Sequence, residues 1–113
     1  MRLLPVLALA FLCPVVALAG DWLALVDDDI SAALTDRTLE YTGAKQVFYA
    51  SGRTLYDTGE PSWGYWRPEG DKYCSQWPPG QAWDCYRVER SADGLSVRFL
   101  DAEGRPFVGV YIE

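Results

Sequence analysis

Beyond Thr35 the chain cannot run far in one direction. Gly43, Gly52, the Gly59-Glu60-Pro61 triplet, Pro78-Pro79-Gly80, Asp93-Gly94 and Glu103-Gly104 all mark turns. Between these breaks lie short runs rich in threonine, valine and aromatic residues, at 38–42, 46–51, 54–58, 62–67, 72–77, 84–90, 95–101 and 107–112. Leu95, Val97 and Phe99 alternate with Ser96 and Arg98, which puts one face of that run in a core and the other in water. The pattern predicts a mainly β fold, an antiparallel meander of seven or eight strands spaced roughly eight to twelve residues apart. An open meander exposes two edges, so this one is expected to curl into a half-barrel or small barrel. No linker, repeat or low-complexity segment interrupts it, and residues 20–113 read as one domain.

Ahead of the strands the spacing is helical. Trp22, Leu23, Val26, Ile30, Ala33 and Leu34 recur every three or four residues. This predicts one amphipathic helix over 21–34, capped by Asp21 and lying against the sheet. Asp27-Asp28-Asp29 would then sit mid-helix and face water. A calcium loop needs alternating oxygen ligands around a glycine turn, which a contiguous helical run does not supply.

The first nineteen residues carry a basic Arg2, an apolar run over 3–18 and small residues in Ala17-Leu18-Ala19, the three zones of a cleavable export signal. The apolar run is short for a membrane anchor and ends at acidic Asp21. Cys13 lacks the small residue before it that lipidation needs, so it is expected to leave with the signal. Arg2 leaves too, and the ten basic residues of the whole chain become nine against sixteen acidic ones, moving the net charge from −6 to −7. Such a surface repels phosphate backbones and anionic headgroups, which argues against nucleic-acid and membrane-surface partners.

Cleavage leaves two cysteines, Cys74 and Cys85, and in an oxidising compartment an even pair reads as a disulfide. If 72–77 and 84–90 form a hairpin, placing Cys74 opposite Cys85 fixes its register. Tyr73 then faces Tyr86 and Lys72 faces Arg87. Tyr73, Tyr86 and Val88 project to one face, and the cysteines, Lys72 and Arg87 to the other.

Gly64-Tyr65-Trp66-Arg67, Gly70-Asp71-Lys72-Tyr73-Cys74 and Trp83-Asp84-Cys85-Tyr86-Arg87-Val88 form a pattern of their own. Tyr49-Ala50-Ser51-Gly52-Arg53 precedes it and Asp93-Gly94-Leu95-Ser96-Val97-Arg98-Phe99 follows. The whole is similar to a set of small exported bacterial proteins of unknown function, with a Gly-x-Trp strand, a Gly-Asp-x-x-Cys strand and a Cys-x-x-Val strand. The resemblance runs from about Thr38 onward. It implies periplasmic residence and a β-meander with one disulfide, and it assigns no catalytic residue.

The chain has no histidine. That removes Ser-His-Asp and Cys-His catalysis and the commonest transition-metal ligand. Oxidised cysteines offer neither a thiolate nucleophile nor a zinc site, and their spacing is not that of a Cys-x-x-Cys redox pair. No cofactor is expected, and the protein does not read as an enzyme.

Trp63, Tyr65, Trp66, Tyr73, Trp77, Trp83 and Tyr86 fall within twenty-four residues. Trp66, Tyr73 and Tyr86 suit a core by their alternation. Trp77 and Trp83 flank a proline-stiffened loop and are candidates for a contact surface, with Trp63, Tyr65, Arg67 and Arg87 as companions. The reading that follows is an exported, non-enzymatic binding or accessory module engaging a periplasmic protein or envelope glycan. The alternative is a secreted inhibitor of a basic cell-wall lytic enzyme, by analogy with small disulfide-bonded barrels that inhibit lysozymes. On this reading the mature protein begins at Gly20. Intact mass spectrometry of the exported protein should lack residues 1–19, and a species retaining them would overturn the export assignment.

Overall fold

A computed structural model describes residues 21–112. The export signal, its cleavage before Gly20 and Cys13 lie outside the described residues. Nine strands and one helix follow in the order β1 (Trp22–Leu25), α1 (Asp28–Leu34), β2 (Arg37–Tyr41), β3 (Ala44–Phe48), β4 (Arg53–Asp57), β5 (Pro61–Glu69), β6 (Lys72–Gln76), β7 (Trp83–Ser91), β8 (Ser96–Leu100) and β9 (Pro106–Ile112). Each strand from β2 to β9 pairs antiparallel with the next, and β9 returns to pair with β2. The expected meander therefore closes completely, as an eight-stranded up-and-down barrel, and closure removes its edges.

Period-two alternation sorts the side chains between lumen and surface. Leu39, Gln46, Phe48, Thr54, Trp66, Tyr73, Val88, Val97 and Phe99 are all buried in the interior. Phe48 is the centre of this packing. Its ring meets those of Trp66 and Tyr73 edge-on at 5.6 and 5.7 Å, and Phe99 lies 6.3 Å away. Such edge-to-face pairs add to the burial of the rings themselves. The indole N–H of Trp66 donates to the Tyr49 carbonyl at 2.9 Å, so the largest buried side chain leaves no polar atom unpaired.

The β6–β7 hairpin has the register read from the sequence, with Cys74 opposite Cys85, Tyr73 opposite Tyr86 and Lys72 opposite Arg87. Cys74 and Cys85 form a disulfide on the outer face, their Cα atoms 4.0 Å apart. By restricting the unfolded chain, a loop of this length contributes about 2–3 kcal/mol.

The N-terminal segment differs from the expected single helix over 21–34. Trp22–Leu25 is a strand, so Asp21 does not cap a helix. It pairs with β7 over Val88–Ser91, where β6 has already ended at the Lys72–Arg87 pair. β7 outruns β6, its surplus backbone needs hydrogen-bond partners, and β1 supplies them. The apolar spacing misled here, since Leu23 and Val26 are 56% and 45% exposed. The helix begins only after Asp27, whose φ of 51° breaks the strand and whose N–H donates to the Gly70 carbonyl. Asp28 and Asp29 thus occupy the first helical turn rather than its middle, where carboxylates complement the helix dipole.

As expected, the helix packs against the sheet, its buried residues sharing a core with Leu39, Phe48 and Trp66. Ile30, Ala33 and Leu34 are fully buried and close one end of the barrel. The Tyr111 hydroxyl, reaching in from β9, donates to the Ala33 carbonyl at 2.8 Å and holds the last turn in place. Among the described residues no helix is long and apolar enough to cross a membrane.

Trp66→Ala should lower stability by about 3–5 kcal/mol, as large core truncations do. Trp83→Ala, on the outer wall, should lower it by about 1 kcal/mol or less. Chemical denaturation of the two variants checks the difference, and equal losses would contradict this placement.

Candidate functional site

The strand ends remote from α1 carry a second set of inward residues, and among the described residues no element packs across them. Tyr41, Gln46, Tyr56, Ser62, Tyr73, Ser75, Tyr86, Phe99 and Phe107 are joined by Trp77 and Pro78 from the β6–β7 loop. Together they surround an open cavity of about 760 Å³. An eight-stranded barrel is just wide enough for side chains to fill its lumen or for one small ligand to occupy it. Here the half beneath Phe48 is filled by side chains and α1, while the other half stays open.

Hydrogen bonds fix the cavity floor. The Tyr41 hydroxyl donates to Gln46 Oε1 at 2.7 Å. Gln46 Nε2 donates to Thr54 Oγ1 at 3.0 Å and to the Tyr73 hydroxyl at 3.1 Å. Thr54 in turn donates to the Val47 carbonyl at 2.8 Å. A buried amide is costly unless satisfied, and both ends of Gln46 are in use.

Trp77 forms one wall of the mouth. Its Nε1 donates to Ser75 Oγ at 3.1 Å and its ring meets that of Tyr56 edge-on at 6.1 Å. Gly64 makes this placement possible. A Cβ there would lie 2.6 Å from both the Trp77 ring and the Gln76 carbonyl oxygen. On the opposite side, Tyr86 and Phe107 meet edge-on at 6.2 Å.

Three phenols of the cavity, those of Tyr41, Tyr73 and Tyr86, are held neutral. Burial raises the pKa of Tyr41 strongly, with smaller contributions from the nearby Tyr73 and Tyr56. Tyr73 is pushed up to about 12, mainly by burial, while its hydrogen bonds to Ser75 and Gln46 pull the other way. The pKa of Tyr86 rises through burial first, then through the carboxylates of Asp84 and Asp101. Charged side chains are absent from the lining among the described residues.

The structure separates the residues that the sequence grouped together. Trp77 enters the mouth of the barrel, whereas Trp83 is on the outer wall beneath the Arg67 guanidinium, 4.0 Å from its ring centre. Trp63 and Tyr65 alternate to the outer surface, where they are 46% and 42% exposed. Trp63 stacks on Tyr49 at 5.9 Å and borders the cavity only at its rim, and Arg53 lies over both Trp63 and Tyr65. Arg87 faces outward opposite Lys72. Tyr73 is buried as core, and Tyr86 is half-buried on the cavity wall. Tyr41, Gln46, Tyr56, Ser62, Ser75, Phe99 and Phe107 were not singled out from the sequence. Their inward alternation was available, but the β2–β9 pairing that gathers them at one end was not. Glu69 Oε1 lies 3.4 Å from Cys74 Sγ, yet with both sulfurs in a disulfide this trio lacks the thiolates a metal would need.

Comparison with models of known protein families finds no match, nor does comparison with curated proteins or with solved structures.

A tyrosine whose folded pKa is raised contributes stability below its unfolded pKa, near 10, that is lost as pH climbs toward the folded value. For Tyr73 the window runs from about 10 to about 12. Stability should therefore change little from neutral pH up to that window and fall within it, and Tyr73→Phe should fall less steeply. Denaturation midpoints across alkaline pH test this, and identical slopes would contradict it.

Proposed function

We propose that the chain is an exported, non-enzymatic binding protein of the periplasm or extracellular space that holds a small ligand in the open end of its barrel. The observation that carries this reading is the aromatic-walled cavity of about 760 Å³, within the range of pockets that bury a small organic molecule. Export is supported by the sequence of residues 1–19 and by the disulfide, which suits an oxidising compartment. Binding without catalysis is supported by the character of the lining groups. Phenols held neutral are poor general bases near neutral pH, and the Gln46 amide is already engaged on both sides. Rings fixed in place before contact lose little freedom on binding.

A second reading, inhibition of a basic cell-wall lytic enzyme, draws on exposed Trp63 and Tyr65 on an acidic protein. Assay of a basic muramidase with the purified protein separates it from the first, since only an inhibitor slows the enzyme.

N-phenyl-1-naphthylamine, a neutral apolar fluorophore, should bind saturably to the mature, oxidised protein. Ser62→Trp fills the mouth from an exposed position and should weaken that binding ~tenfold or more. Trp83→Ala should leave it unchanged. Absence of saturable binding, or indifference to Ser62→Trp, would overturn the reading.

A further inference from the structure

The walls of the mouth are rings, and its neutral polar floor is internally satisfied, so the charge preference of the site is decided at the rim. Asp84 holds a particular position there. It stands opposite Ser75 in the β6–β7 register and two residues before Tyr86, and both of those line the cavity. Side chains alternate along a strand, so Asp84 belongs to the same inward-facing set, one step nearer the opening. Its carboxylate is exposed and, among the described residues, no side chain pairs with it. It lies near enough to Tyr86 to help raise that phenol's pKa, after burial and together with Asp101.

The remaining charges of the rim do not offset it. Arg105 is held by Asp101 at 2.7 Å and Glu103 at 3.6 Å. Asp57 and Glu60 lie in and beside the β4–β5 turn, opposed by Lys45 across the β3–β4 pair. An anion entering this mouth would meet like charge at the rim and find no cation inside. A cation would meet an unpaired carboxylate and ring faces, which attract positive charge through their quadrupole. An organic cation with a flat, weakly hydrated body gives up little hydration on entry, and it has few donors to leave unpaired against a floor already satisfied.

We propose that the barrel mouth takes a monovalent organic cation with a flat aromatic body, the body between Trp77 and Tyr86 and the charge toward Asp84, which selects it. This rests on the mouth being a ligand site. The role of Asp84 is to set specificity by charge, without touching the barrel's core.

The test uses three fluorescent probes of similar size: cationic thioflavin T, neutral N-phenyl-1-naphthylamine and anionic 8-anilinonaphthalene-1-sulfonate. Thioflavin T should bind tightest and the sulfonate weakest, with the preference shrinking as salt rises. Asp84→Asn keeps the shape of an exposed side chain, so the fold is not at risk. It should weaken thioflavin T about tenfold and leave the neutral probe within about twofold. Equal or tighter binding of the sulfonate, or no effect of Asp84→Asn on thioflavin T, would overturn this inference. Binding of the neutral probe would then still support the binding-protein reading. If none of the three probes binds, both fail together.

Discussion

The pairing of β2 with β9 is the constraint on which the rest of the molecule depends. Only three residue pairs form that seam: Thr38 with Ile112, Leu39 with Tyr111 and Glu40 with Val110. Without it the sheet would be an open meander with two unpaired edges, and its concave face would drain to solvent. The seam is close because Gly109 has no side chain. A Cβ there would lie 2.9 Å from the Tyr41 ring and 3.0 Å from Leu39 Cβ. Tyr111 then uses its place in the seam twice, its ring beneath the Arg37 guanidinium and its hydroxyl on the last turn of the helix. Closure and the plugging of one end are therefore coupled through a single residue.

Once the sheet is closed, the inward residues share one lumen, and its two halves are treated differently. Near α1, Phe48 and Trp66 meet ring against ring, and Ile30 and Leu34 cover them. Toward the other end the inward set turns partly polar, through Gln46, Thr54 and Ser75, and among the described residues no element crosses the opening. The buried polar groups satisfy one another, so this half is stable without being filled. The lumen is a core at one end and a site at the other, and Tyr73 belongs to both. Its ring lies 4.8 Å from that of Phe99, and its hydroxyl is part of the floor.

Much of this architecture was legible in the sequence. The turn residues located the strands to within a few positions, because glycine at positive φ is what those turns require, as at Gly43 and Gly94. The cysteines set the β6–β7 register, because side-chain alternation and bridge geometry admit one alignment. The N-terminal segment was not legible. Trp22 to Val26 has helical spacing, but its conformation is settled by backbone pairing with a strand more than sixty residues away, and local periodicity carries no record of that. The site was legible only in fragments for a similar reason. Trp77 and Trp83 flank one loop and look like a pair, yet they sit at opposite parities about it, so one turns into the lumen and the other onto the wall. Tyr41 and Phe107 are far apart in sequence and border the same cavity only because the seam brings their strands together.

The state of the mouth before any ligand arrives follows from two contacts made across β5 and β6. Gly64 lets the Trp77 ring lie against the β5 backbone, and Ser75 takes up the indole N–H, so the ring is held by packing and by a hydrogen bond together. Gln46 is tied on three sides and cannot swing into the space above it. A cavity bounded in this way has no rearrangement to make when occupied, and the entropy of ordering its walls has already been spent in folding. The same bracing explains why the cavity does not collapse. Moving Trp77 inward would strip its N–H of Ser75, and moving Tyr41 inward would take the hydroxyl donor from the buried Gln46 carbonyl, and each loss costs free energy. The open half of the barrel is thus kept open by the hydrogen bonds of its own lining.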